Sequence, residues 1–301
     1  MTPAVDGLVS VIMPFLNARP FITEAIESVL AQTHPEWELW LVDDGSSDDT
    51  ADIARAFAER EPERIHLLAH AGGANRGASA SRNLGLGRAR GEFVAFLDAD
   101  DVWLSENLAE QVARLRAAPE AGVLCSRSLY WYSWAGPGGG RDFTPPHRAP
   151  EGRPIPGVAF LARCLQGKAS VPCPCGILVR RPLIEQVGGF EEQFPQLYDD
   201  QVLYAKLFLS TKVLLDEGCW AKYRRHPAST TMTAEREQRF RPWRLAYLTW
   251  LERYAAGDPA SAAALRPALR RELWRCRHPL GDWLLDQATF LGRRLERLRG
   301  R

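Results

Sequence analysis

The first hundred residues alternate short apolar runs with segments whose apolar positions recur every three or four residues. Leu8 to Phe15, Trp37 to Val42, Arg64 to Ala69 and Phe93 to Leu97 predict four strands. Between them, Ile22, Ala25, Ile26, Val29 and Leu30, then Ile53, Ala54, Phe57 and Ala58, then Ser79 to Ala89, have helical spacing. Strands and helices alternating at this interval predict βαβ units and an α/β fold with a mostly parallel central sheet and flanking helices. Near-continuous apolar strands fit a sheet covered on both faces. Such sheets bind ligands outside the carboxyl ends of their strands. Three of those ends carry polar groups: Asn17, Asp43-Asp44, and Asp98 to Asp101.

The pattern loosens after Asp101. Ser105 is expected to cap a helix whose Leu108, Val112 and Leu115 form one face, closed by Pro119. Gly122 to Trp134 reads as a strand. Residues 135–157 are so rich in glycine and proline that no regular structure is expected there. A loop this long inside a domain is commonly functional, and its position between two halves of the chain suggests a lid. A short helix over RRPLIEQVGGF, a helix over Asp199 to Leu209 and one or two strands over Lys212 to His226 follow. From Gln238 onward a helical tail is expected. The divisions are therefore 1–104, a ligand-binding half; 105–235, a second half of the same domain; and 236–301, a helical extension.

Composition narrows the class. The chain has 301 residues, 46% apolar and 25% charged, as an ordinary globular protein does. No run of about 18 apolar residues marks a spanning helix. The first residues lack a basic n-region, and Pro14 and Asn17 interrupt their apolar part, so no secretory signal is expected. Six cysteines without framework spacing fit free thiols in a reducing cytoplasm. The net charge of +1 hides an asymmetry: residues 236–301 hold 15 Arg against 7 Asp or Glu. With Trp243, Trp250, Trp274 and Trp283, and an apolar side of Leu284, Leu285, Phe290, Leu291, Leu295 and Leu298, this tail suits an anionic membrane surface, packing on the acidic body, or a homodimer contact. No nucleic-acid partner is expected.

The chemistry concentrates at "FLDADD". Three carboxylates, Asp98, Asp100 and Asp101, end an apolar strand, where their mutual repulsion and desolvation call for a positive partner. With VSVIMPFLNA, LVDDGSSDDT, NRGASASRNLGLGRARGEFVAFLDADD and VGGFEE followed by YDDQVLYAKL, in that order, the chain resembles a family 2 glycosyltransferase of GT-A-type fold over roughly Leu8 to Thr231. The resemblance implies an inverting transfer of sugar from a nucleoside diphosphate sugar, a UDP-sugar favoured, to a hydroxyl of a glycan or lipid-linked acceptor. Asp98-Ala99-Asp100 resembles the DxD motif, with Asp98 toward the ribose and also a candidate metal ligand, and Asp100 on a divalent cation, Mn²⁺ or Mg²⁺. Asp101 either shares one of those roles or caps a helix near Val102. The resemblance also puts Asp44 on the nucleotide base, Pro14 and Asn17 along the nucleotide, and Arg82 on phosphate or ribose. Asp200 becomes the base, in a pair that is Asp-Asp here against the family's commoner Glu-Asp. His226 becomes a further metal or diphosphate contact.

Hard cations do take carboxylate and phosphate oxygens, and displacement by a hydroxyl needs a base for its proton. Two rival readings remain. A nucleotidyltransferase needs a glycine-rich, basic loop directly after the first strand, and PFLNARPF offers none. A non-catalytic nucleotide-binding or scaffold protein would not need Asp44, Asp98, Asp100 and Asp200 together.

Overall fold

The first strand, β1 (Val5–Phe15), is buried over its last nine residues but one, because both its sheet neighbours and both its faces are covered. After it come α1 (Ile22–Leu30), β2 (Trp37–Asp43), α2 (Thr50–Arg60), β3 (Ile65–Ala69), α3 (Ala78–Leu86) and β4 (Gly91–Phe96). β2 pairs with β1 in parallel, Val9 opposite Trp37, and β3 pairs in parallel outside β2. β4 pairs in parallel with the other side of β1. The chain thus leaves β1 in one direction and returns to its other edge. That reversal is where α/β sheets open a crevice at their carboxyl ends. Ile22, Ala25, Ile26 and Val29 of α1 are fully buried against Val9, Val11 and Met13, as the helical spacing predicts.

The second half is less regular: β5 (Val102–Trp103), α4 (Asn107–Arg116), β6 (Ala121–Trp131), β7 (Pro154–Pro156), α5 (Gly157–Leu165), β8 (Ile177–Arg180), α6 (Arg181–Gln186), α7 (Asp199–Ser210), β9 (Lys212–Arg224) and α8 (Thr230–Arg236). The sheet order is β3-β2-β1-β4-β8-β6-β9-β5, with β7 also on β9. β8 runs antiparallel between β4 and β6, while β6 and β9 are parallel. The computed structural model describes residues 4–136, 140–237 and 239–279. It divides into two compact units, Met1–Thr233 and Ala234–Arg301. The second holds α9 (Phe240–Ala255) and α10 (Pro259–Arg277), which pack through Leu248 and Leu251 on one side and Leu265 and Leu269 on the other, with an Arg244–Glu272 pair at 2.7 Å. Trp283, Leu284, Leu285, Phe290, Leu291, Leu295 and Leu298 lie outside the described residues. Among the described residues no helix is long and apolar enough to cross a membrane.

One local expectation is corrected, and two elements are added to those expected. Ser105 caps nothing: α4 starts at Asn107, and Ser105 Oγ donates to Glu106 instead. The amide of Leu108 is taken by Gln32 Oε1 at 2.9 Å, a partner remote in sequence. α5 and β8 were not foreseen. The four residues of β8 are too short for a period, and its partners are not its chain neighbours.

The glycine- and proline-rich stretch is also more ordered than its composition implies. Pro154 to Pro156 form an edge strand on β9, where proline costs no ladder donor. Phe143 bridges to Tyr130. His147 is buried with Nε2 3.1 Å from the Asp216 carbonyl, and Glu151 accepts from Arg127 at 3.1 Å.

Glu38, 1% exposed, lies near the amino end of β2, opposite Ser10 of β1. It accepts from Ser10 Oγ at 2.6 Å, Arg90 N at 2.8 Å and Arg90 Nε at 2.9 Å. Burial works against its charge, but these donors hold its pKa below the ordinary glutamate value. A depressed carboxylate stabilises the fold above its unfolded pKa and stops doing so as pH falls. Glu38→Gln should therefore cost about 1–3 kcal/mol in urea unfolding at pH 7, with the deficit shrinking toward pH 3. A deficit independent of pH would show that the charge is not what stabilises.

Candidate active site

The loops after β1 and β2 are tied to each other. Pro14 is buried in β1 opposite Val42. Asn17 takes a left-handed conformation, φ 50°, which asparagine tolerates. Its Oδ1 accepts from Ser47 N at 2.8 Å, and its own N–H donates to Ser46 Oγ at 3.1 Å. Asp43 Oδ1 accepts from Ser46 N at 2.9 Å, so it shapes the turn. Gly45 is required there: its φ is 87°, and a Cβ would lie 2.6 Å from the Gly73 carbonyl. Neither acid caps α2, which starts at Thr50 with Asp48 bonded to the Thr50 amide at 3.0 Å.

Asp44 is 5% exposed and reaches the start of α3. It accepts from Arg76 N at 2.7 Å, Gly77 N at 3.0 Å and Ser81 Oγ at 3.1 Å. Unpaired amides at a helix start attract an anion, so Asp44 locks the end of β2 to α3.

The end of β4 carries the acids. Asp101 is fully buried and caps no helix near Val102, because that residue opens β5. Its Oδ1 accepts the Arg224 amide at 2.9 Å, while Oδ2 is buried without a partner. Asp100 Oδ2 lies 2.9 Å from His226 Nε2. Asp98 Oδ1 receives Arg82 Nη2 at 2.5 Å, and Arg82 Nη1 donates to Asp199 at the start of α7. Arg82 is 5% exposed; its terminal nitrogens join an acid of the β4 end to an acid of α7. Asp200 follows directly, with Oδ1 2.7 Å from Gln201 N. Neither Asp199 nor Asp200 caps α7: the N-cap is Tyr198, held at φ 63°, without a side-chain cap bond. A tyrosine in the left-handed region is a strained backbone, of a kind that collects at functional sites. One crevice thus gathers Asp98, Asp100, Asp101, Arg82, Asp199, Asp200, Arg224 and His226.

Its electrostatics are those of a negative pocket short of cations. Burial pushes Asp98 up, against the pull of Arg82 and with the push of Asp100. Burial and the Asp100 and Asp98 charges push Asp101 well above the usual carboxylate range. Burial and the neighbouring Asp199 push Asp200 up to about 7. Among the described residues no three His, Cys, Asp or Glu side chains form a metal cage by themselves. The orphaned Asp101 Oδ2 and the raised Asp98 nevertheless fit a cation held by one or two carboxylates and completed by phosphate oxygens, the usual manner of Mg²⁺.

Comparison with known proteins gives the family. The model of "Glycosyl transferase family 2" matches residues 10–188. The chain belongs to glycosyl transferase family 2. Among curated relatives, the Escherichia coli enzyme UDP-Glc:alpha-D-GlcNAc-diphosphoundecaprenol beta-1,3-glucosyltransferase WfgD is 43% identical over 110 residues, 36% of this chain and 42% of WfgD. The chain spans about two fifths of the length of such relatives. Residues 1–349 of Staphylococcus aureus TarS, solved with UDP-GlcNAc, superpose with a TM-score of 0.70 at 20% identity, covering 90% of this chain and 72% of that one. A mannosyltransferase of Pyrobaculum calidifontis, solved with GDP-Man and Mn²⁺, superposes with a TM-score of 0.60 at 21% identity, covering 88% and 69%. The fold of this family 2 chain is GT-A-type.

Three participants escape a reading of the sequence: Glu24, which accepts from Arg224 Nη2, Phe21, whose ring packs on His226, and Asp199 as a partner of Arg82. Glu24 and Phe21 lie in an ordinary amphipathic segment some 200 positions from their partners, with no local signal. Arg82→Met should leave Asp98 and Asp199 as uncompensated buried acids. A loss of about 3–5 kcal/mol at pH 7 is expected, partly recovered as pH falls and the acids protonate. An unchanged unfolding midpoint would show that the bridge holds nothing.

Proposed function

We propose that the protein transfers a sugar from a nucleoside diphosphate sugar to a hydroxyl of a glycan or lipid-linked acceptor, with inversion and with the help of a divalent cation. The observation that carries this reading is the Arg82 bridge, which draws the DxD-like acids and the Asp199-Asp200 pair to one crevice. An acid cluster that can share a cation with phosphate, and beside it a buried carboxylate raised to about 7, suit displacement at an anomeric carbon. On this reading Pro14, Asn17 and Asp44 form the nucleotide end. Asp44 offers a base N–H the rim of a carboxylate already fixed by residues 76 and 77. The UDP-sugar held by TarS favours a uracil there.

Asp98 lies toward the ribose side, and Asp98, Asp100, Asp101 and His226 are the residues that would hold Mn²⁺ or Mg²⁺. The cation, when bound, neutralises charge on the leaving diphosphate. Arg82 acts on the donor through Asp98 rather than by direct contact, because its terminal nitrogens are engaged. Asp200 takes the proton of the acceptor hydroxyl as that oxygen bonds to the anomeric carbon. The bond from that carbon to the diphosphate oxygen breaks on the opposite face, and a nucleoside diphosphate leaves. One base on one face of the sugar gives inversion.

Asp200→Asn should lower kcat by about 10²–10⁴-fold, with donor affinity nearly unchanged. Its raised pKa sets the pH profile of the native protein: a base near 7 gains a proton and loses function as pH falls, so kcat should drop below neutrality. Full turnover by Asp200→Asn would exclude the role.

EDTA should abolish release of nucleoside diphosphate from a panel of nucleotide sugars, and Mn²⁺ or Mg²⁺ should restore it. Asp100→Ala should weaken calorimetric binding of UDP in the presence of Mn²⁺. Undiminished turnover in chelator would exclude cation assistance.

A further inference from the structure

Arg224 ends β9 beside the acids, yet its guanidinium does not lie open to a ligand. It is 4% exposed. Nε donates to the Asp100 carbonyl at 2.7 Å, and Nη2 donates to the carboxylate of Glu24 on α1. Its backbone N–H is the one held by Asp101. Three aromatic rings enclose the guanidinium: Trp131 at 4.5 Å, Phe21 at 5.0 Å and Trp134 at 5.2 Å. The box reaches His226, whose ring centre lies 4.7 Å from that of Phe21. Trp134 Nε1 donates to the Arg225 carbonyl at 2.9 Å, fixing the strand end from the other side.

Each contact constrains a group of the candidate site without belonging to it. Asp100 is held through its carbonyl, Asp101 through its Oδ1, and His226 through the Phe21 ring tilted against it and the edge-on Trp134 ring. Glu24 closes the set from the first turn of α1. A guanidinium already engaged by carboxylate, carbonyl and rings is a poor phosphate ligand and a good strut. Cation–π contacts add most where the cation is desolvated, as here.

We propose that Glu24 and Arg224, inside the Phe21–Trp131–Trp134 box, are positioning residues that set the orientation of Asp100, Asp101 and His226 and so tune diphosphate and cation binding. The proposal deepens the reading above and rests on it. Glu24 supplies the charge that keeps Arg224 turned toward the Asp100 carbonyl. Without it, the guanidinium is free to turn toward the diphosphate or the acids themselves.

The test uses the full chain with UDP and Mn²⁺ as probes. Calorimetry measures UDP affinity with and without Mn²⁺ for the native protein, Glu24→Gln, Glu24→Asp and Arg224→Lys. Amide exchange is followed at residues 98–103 and 224 without ligand. Glu24→Gln is expected to weaken UDP binding about tenfold in Mn²⁺, the scale of losing a hydrogen bond between charged groups. It should leave metal-free UDP binding alone and speed exchange of the Arg224 amide. Glu24→Asp, which keeps the charge, should recover part of the affinity. Affinity in Mn²⁺ equal to that of the native protein, or a loss equal with and without Mn²⁺, overturns the proposal. Lowered melting temperature with unchanged exchange at 98–103 and 224 also overturns it, because the pair would then be structural only. Failure of the native protein to bind UDP at all would overturn the nucleotide-sugar reading instead, so the two failures are distinct.

Discussion

A guanidinium buried between two carboxylates, Arg82 between Asp98 and Asp199, is the contact on which the site depends. Any one of these charges alone in that interior would be strongly destabilising. Together they are tolerable, and the need to satisfy Arg82 dictates geometry. α3 must present this face to the end of β4, and α7 must begin where Asp199 can meet it. Burial works against the charge of Arg82, while Asp98 and Asp199 hold its pKa above the ordinary arginine value. The cation is permanent, and the acids around it are those left short. Asp101 and Asp200, which have no guanidinium of their own, are pushed upward.

What could be read from the sequence was what short-range patterns encode. β1 to β4 and α1 to α3 announce themselves, since a continuous apolar run or a 3.6-residue period needs only its own window. The polar strand ends were legible for the same reason: an acid directly after a buried strand is anomalous wherever it occurs. The second half hid its order because its partners are remote. β8 is four residues long and is defined by β4 and β6, and the amide opening α4 is met by Gln32 rather than by Ser105. In residues 135–157, composition argued for irregular backbone. The bonds of His147, Glu151 and Pro154 to Pro156 to neighbouring strands pin much of it nonetheless.

Individual residues at the site divide along the same line. That Asp44, Asp98 and Asp100 face one end of the sheet followed from their places after strands, while Asp200 and His226 came in through the family resemblance alone. How each is engaged did not. Asp44 bonds the amides before α3, and Arg82 bonds two acids. Sequence gives a residue its address along the chain; competition among buried neighbours decides which lone pair or N–H is left over. Asp101 Oδ2 is such a remainder.

The same competition explains why the crevice sits at the border of two sheet architectures. Between β1 and β4 the chain reverses its direction of winding, and the loops at that point diverge to leave room for a ligand. Beyond β4 the antiparallel β8 brings in β6 and β9, so the Arg224–His226 segment arrives at the same carboxyl ends from the far side of the sheet. A purely parallel continuation would have needed a further crossover connection on a face of the sheet. Antiparallel β8 lets the second half supply Asp199-Asp200 and His226 as a facing wall. A nucleotide-facing wall built by local βαβ units and an opposing wall built by remote pairings then meet across one guanidinium, Arg82. A second guanidinium, Arg224, braces the acids from the other side.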